Sequence, residues 1–115
     1  LSINCPMTSD MAKVLNEDRI ALLPPNAVVV NSARGGLVDD EALIAALKSG
    51  RVFAAGLDVF DGEPNLHPEY RILENVVLLP HVGSATVETR NAMGFRALDN
   101  LDAFFAGAKP QDRIA

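Results

Sequence analysis

Two stretches of this chain are apolar at every position. Ala27-Val-Val-Val30 and Val76-Val-Leu-Leu79 show no alternation of polar and apolar residues. A strand with one wet face alternates, so an unbroken apolar run predicts a strand covered on both faces. Such strands belong to parallel sheets, and parallel neighbours must be joined by crossovers, usually helices.

The intervening sequence supplies those helices. Asn16 can cap a short helix, with Glu17 and Asp18 in its first turn, where carboxylates favour the positive end of the helix dipole. Pro24-Pro25 stops it. Asp39 caps the next helix. Asp40 and Glu41 follow, Lys48 sits in the last turn, and Gly50 suits a left-handed terminator. Leu43, Ile44 and Leu47 form its apolar stripe. Val52 to Val59 reads as a strand with small residues Ala54, Ala55 and Gly56, and Phe60 to Asn75 as a loop rich in turn dipeptides. A long helix runs from about Thr86 to Phe105, with Met93, Ala97, Leu98, Leu101 and Phe105 on one stripe. With a β-prone stub at Leu1–Asn4, the order is strand–helix–strand–helix–strand–loop–strand–helix. That pattern predicts an α/β fold. Residues 1–106 form the domain and 107–115 a polar tail.

Charge and cysteine content narrow the partners. The net charge is −5, which speaks against a nucleic-acid face or a polybasic membrane patch. A hydrophobic fraction of 49% suits a folded domain and not a disordered one. Cys5 is the single cysteine, so no disulfide forms within the chain, which suits a reducing compartment. The chain opens on Leu1, without a secretory signal pattern, and reads as a piece of a longer polypeptide.

In open parallel sheets, ligands bind beyond the carboxyl ends of the strands. Cys5 and Pro6 follow the first strand. Asn31-Ser-Ala-Arg34-Gly-Gly36 follows the second. Asp58 and Glu63 follow the third, and Pro80-His81-Val-Gly83 the fourth. One arginine, two carboxylates and a histidine therefore converge on one edge. Arg34 follows a buried strand and precedes two glycines, an odd place for a solvating charge, and its planar fork suits a carboxylate ligand. Asp58 ends an apolar strand, where an unpaired charge is costly, so it needs a partner. Glu63 and His81 suit an acid–base pair. Glu63 as a loop charge and His81 as a structural histidine are the plainer alternatives. His67, in a polar loop, reads as structural or solvated. No metal-ligand spacing and no serine-hydrolase elbow occur, and Cys5 lacks a nearby histidine to serve it as a nucleophile's base.

Four segments carry a resemblance. Asn31-Ser-Ala-Arg34-Gly-Gly-Leu-Val-Asp39 resembles the arginine signature of the D-2-hydroxyacid dehydrogenases. Leu57-Asp-Val-Phe-Asp-Gly-Glu63-Pro64 resembles their glutamate segment, and Leu79-Pro-His81-Val-Gly-Ser-Ala-Thr86 their histidine segment. Asn4-Cys-Pro6-Met-Thr8 resembles the loop beside the adenosine half of the cofactor. The branch most similar is that of the D-glycerate dehydrogenases and glyoxylate/hydroxypyruvate reductases.

The resemblance implies the second half of a Rossmann-type, doubly wound cofactor domain followed by a long helix. It implies that Arg34 holds the substrate carboxylate, that His81 is the proton donor and that Glu63 orients it. Cys5, Pro6, Ser32, Ala33, Asp58 and Gly83 would line the site of NAD or NADP, with Asp58 on the nicotinamide carboxamide. The substrate would be a small 2-keto or 2-hydroxy acid. The intact protein would be a cytoplasmic homodimer without nucleic-acid or membrane partners. The family's Gly-x-Gly-x-x-Gly turn is not in this sequence, so this chain alone would bind dinucleotide weakly and not turn over substrate. A dinucleotide-sensing, corepressor-like protein of the same fold is the alternative reading.

Overall fold

The computed structural model describes residues 1–114. Strands β1 (Ser2–Ile3), β2 (Ala27–Asn31), β3 (Val52–Leu57) and β4 (Val76–Leu78) form one sheet in that order. Every pairing is parallel. Helix α1 (Glu17–Ala21) joins β1 to β2, helix α2 (Asp40–Lys48) joins β2 to β3, and helix α3 (Val87–Phe105) follows β4. The chain divides into two compact units, Leu1–Gly83 and the segment from Ser84 onward.

The helix ends form where the sequence marks them. Asn16 caps α1, its side-chain oxygen accepting from the Arg19 N–H at 3.1 Å. The Asp39 carboxylate caps α2 at Ala42, and Gly50 beyond its end has φ +75°, a conformation that costs glycine little. Thr86 caps α3 through the Thr89 N–H at 3.1 Å. Three short 3₁₀ turns, at Ser9–Met11, Gly35–Leu37 and Pro68–Ile72, carry no mark in the hydrophobic pattern.

The core of the first unit lies on one face of the sheet. Val29, Val52, Ala55 and Leu57 point into it from the strands. Leu43, Ile44 and Leu47 enter from α2, Ile20 from α1 and Tyr70 from the third 3₁₀ turn. The Tyr70 hydroxyl donates to Asp40 Oδ1 at 2.8 Å, which ties that long connection to the start of α2. Burial and the Asp40 charge push the Tyr70 phenol far up, so it stays a donor. Burial likewise raises Asp40.

The expectation that the apolar strands are covered on both faces is corrected within this unit. Val28 and Val30 of β2 are 43% and 40% exposed, and Phe53 and Val77 more so. The reason is topological. Strand order β1-β2-β3-β4 adds each strand on the same side of the last. With crossovers of one hand, all the connections then fall on one face, and α1, α2 and the Tyr70 turn do share it. Covering the second face requires the order to reverse, as it does at the switch point of a doubly wound sheet.

The stripe read on α3 lies within the helix but buries nothing. Met93, Leu98, Leu101 and Phe105 are exposed, and no residue of the helix is buried. Its own unit offers it only the short tail as a packing surface. That tail is not free: Asp112 accepts two hydrogen bonds from the Arg96 guanidinium, at 2.6 and 2.9 Å, and one from Asn100.

Leu43→Ala removes a fully enclosed side chain and should cost about 2–5 kcal/mol. Leu22→Ala, at an 83% exposed position, should change stability by no more than about 0.5 kcal/mol. Urea denaturation of the two variants checks the contrast.

Candidate active site

The register of the sheet carries the candidate residues to one line. Ile3 pairs with Asn31, Asn31 with Leu57, and Leu57 with Leu78. These are the last or near-last residues of their strands. Cys5 and Pro6, Ser32 to Arg34, Asp58, and Leu79 to His81 therefore all leave the same edge.

The arginine loop is shaped by Asn31, which sequence reasoning did not single out. Its side chain is 1% exposed. Its amide NH₂ donates to the Arg34 carbonyl at 2.9 Å, and its oxygen accepts from the Ala33 N–H at 3.1 Å. One side chain thus folds the loop back on its own strand. An asparagine at the end of an apolar run, followed by serine, is the signal for such an Asx turn. The exposed Arg34 guanidinium donates to the neighbouring Ala33 carbonyl at 2.6 Å. Among the described residues no carboxylate pairs with it.

Gly35 presses this loop against the next one. A Cβ there would lie 1.9 Å from the Phe60 carbonyl carbon and 2.2 Å from the Asp61 nitrogen. Only a residue without a side chain lets the two backbones meet. The Phe60–Asp61 turn leads directly to Glu63, so the arginine loop and the glutamate loop share a fixed boundary.

Glu63 and His81 meet as expected. Glu63 Oε2 lies 2.8 Å from His81 Nδ1, and Oε1 accepts from the Phe60 N–H at 2.9 Å. The His81 bond, then the Phe60 N–H, hold the Glu63 carboxyl below its ordinary range against partial burial. It is therefore a carboxylate at neutral pH, acceptor only. A carboxylate facing Nδ1 needs a proton on that nitrogen, which leaves Nε2 as the ring's other functional end. The His81 side chain is about half exposed. Beside the pair opens a pocket of about 440 Å³ lined by Phe60, Pro64, Leu66, Leu78 and Pro80.

Asp58 is 7% exposed and finds its partners in backbone: the N–H groups of Val82 and Gly83, each at 2.7 Å. His67 is structural. Its Nε2 pairs with Glu41 at 3.0 Å, and its ring meets Tyr70 edge-on. Cys5 is half-buried and Pro6 exposed, and both sit just beyond β1. Among the described residues no group of three His, Cys, Asp or Glu side chains is arranged to hold a metal.

Comparison with known proteins identifies the family of the chain. Residues 1–83 match the family model described as the D-isomer specific 2-hydroxyacid dehydrogenase, NAD binding domain. The chain belongs to that family. It is 48% identical over 107 residues to the glycerate dehydrogenase of Hyphomicrobium methylovorum, covering 93% of this chain and 33% of that protein. It is 50% identical over 105 residues to the glyoxylate reductase of Pyrococcus furiosus, covering 91% of this chain and 31% of the relative. Among solved structures, the NADPH-dependent glyoxylate/hydroxypyruvate reductase of Sinorhizobium meliloti, in complex with NADP and malonate, superposes with a TM-score of 0.88. That match has 46% identity and covers 91% of this chain and 33% of the other. The chain thus spans about a third of the length of the relatives it matches.

The two adjacent glycines should respond differently. Gly35→Ala must force apart a pair of touching backbones and should cost about 1–3 kcal/mol or more. Gly36→Ala comes closest to the flexible Met7 Cε, at 3.0 Å, and should cost less than about 1 kcal/mol. Thermal melts of both variants decide it.

Proposed function

We propose that this chain is the second half of the cofactor domain of an NAD(P)-dependent D-2-hydroxyacid dehydrogenase, acting on a small acid such as glyoxylate, hydroxypyruvate or D-glycerate. The observation that carries the reading is the Glu63–His81 pair at 2.8 Å, on the same strand-end edge as an arginine that has no carboxylate partner among the described residues. The names of the relatives support the choice of acid.

The residues present fit a nicotinamide dinucleotide. Cys5, Pro6, Ser32, Ala33, Asp58 and Gly83 lie along adjoining strand ends, the place where such sheets take a nucleotide. Asp58 has used two of its roughly four acceptor positions and keeps others for the amide of the nicotinamide carboxamide. Bound there, the cofactor supplies or accepts the hydride.

The chain's own residues do the rest. Arg34 grips the substrate carboxylate with its planar fork and draws electron density from the adjacent carbonyl. His81 Nε2 gives its proton to the carbonyl oxygen in reduction and takes it from the hydroxyl in oxidation. Glu63 keeps the proton on Nδ1 and fixes the rotation of the ring. The homodimeric state and cytoplasmic location implied by the resemblance belong to the same reading. No helix among the described residues is long and apolar enough to cross a membrane.

The direct test is oxidation of NADH and NADPH by the full-length protein with glyoxylate and hydroxypyruvate. Binding of dinucleotide without turnover on any 2-keto acid would favour the sensing protein instead. Within an active enzyme, Arg34→Lys exchanges a fork for a point charge and should lower kcat/KM about 10- to 100-fold, the worth of a charged hydrogen bond. Near-normal kinetics would remove Arg34 from the substrate.

Glu63→Gln supplies a second check. The His81 bond holds the Glu63 carboxyl below its ordinary range, so it is ionised at neutral pH and the variant exchanges a charged acceptor for a neutral amide. kcat for reduction should fall about tenfold or more, as misplacement of a catalytic group does. A kcat within about twofold of the parent would uncouple the pair.

A further inference from the structure

His81 is held in an unusual backbone conformation. Its φ is +55°, in the left-handed region that residues with a side chain adopt at a steric cost. Something must hold it there. The next two N–H groups, of Val82 and Gly83, point together at one carboxylate: Asp58 Oδ1 and Oδ2 accept them, each at 2.7 Å. Successive N–H groups around a left-handed residue form a concavity for an anion. Here the anion is a side chain of the neighbouring strand end. Gly83 makes room for it, since a Cβ there would stand 3.0 Å from Asp58 Oδ2. Asp58 has little alternative, being 7% exposed at the end of β3.

We propose that Asp58 is a positioning residue for the proton donor. It fixes the backbone at His81 through two charge-assisted bonds, while Glu63 fixes the ring. This role is separate from the contact with the cofactor's carboxamide, and it rests on the function proposed above. The two carboxylates divide one task. Glu63 reaches Nδ1 at 2.8 Å and sets the rotation of the imidazole. Asp58 bonds to the backbone one and two residues beyond the ring. With both in place, Nε2 has one direction in which to offer its proton. Asparagine at position 58 has one acceptor oxygen for two donors, and its NH₂ would face an N–H. The loop would then lose one of its two anchors.

The test uses the full-length protein and two readouts. In Asp58→Asn, hydrogen exchange at the Val82 and Gly83 amides should rise at least about tenfold, while peptides from the Val52–Leu57 strand stay protected. Unchanged exchange at the two amides overturns the clamp, whatever the activity. The second readout is kcat for 2-keto acid reduction, measured with NADH or NADPH and again with the reduced analogue bearing an acetyl group in place of the carboxamide. That analogue has no amide N–H for Asp58 to accept. We expect kcat to fall about tenfold or more in Asp58→Asn with both cofactors, as misplacement of a catalytic group does. If the variant and the parent turn over the analogue equally, Asp58 works through the carboxamide alone and the proposal is wrong. Gly83→Ala, which keeps the carboxylate but crowds Oδ2, should show the same two changes in smaller degree and serves if Asp58→Asn does not fold. An unmodified protein that reduces no 2-keto acid would remove the proposed function, and the exchange result would still decide whether the clamp exists.

Discussion

Parallel pairing in a single register is the constraint on which this molecule depends. In a parallel ladder every strand runs the same way, so all the chain exits after a strand fall on one edge. Ile3, Asn31, Leu57 and Leu78 are aligned across the four strands. A slip of one residue in any strand would turn its next side chain to the other face. It would carry Asn31 or Asp58 away from the loop each one holds. The chemistry gathered at the edge is thus a by-product of hydrocarbon burial deeper in the sheet, where Val29, Val52 and Leu57 lock the register.

Above that edge, each loop is secured by a polar group from the strand or turn beneath or beside it. Asn31 holds the arginine loop, and Asp58 holds the histidine loop. Phe60 holds Glu63 through its N–H. Among the described residues, Asn31 and Asp58 are the two that bury a polar or charged side chain. A polar group deep in a small domain has to be satisfied, and both are satisfied by backbone groups of the loops that carry the exposed Arg34 and His81 side chains.

The sequence made the strands, the two capped helices and the Arg34, Glu63 and His81 positions legible, because these rest on local rules. Asn16 and Asp39 are caps by residue type, and Leu43, Ile44 and Leu47 mark a face by spacing. What could not be read depends on three-dimensional neighbours. The meaning of Gly35 lies in the Phe60 backbone, 25 positions away in sequence. Asp58 was legible as a charge in need of a partner, but its partners are the amides of Val82 and Gly83, which no side-chain pattern reveals. The exposure of Val28 and Val30 follows from strand order, which a run of valines does not encode. Tyr70 reaches Asp40 from a loop that composition marks only as irregular.

The contact at Gly35 sets how such a site can be altered. With the arginine loop pressed backbone to backbone on the turn before Glu63, neither loop has slack. A longer insertion in one would displace the other and disturb Arg34 and the Glu63–His81 pair together. A change that spares them would leave both loops at their present length and fall on the apolar wall formed by Leu66, Leu78 and Pro80. The edge is rigid where the two backbones touch, and adjustable along the pocket wall beside them.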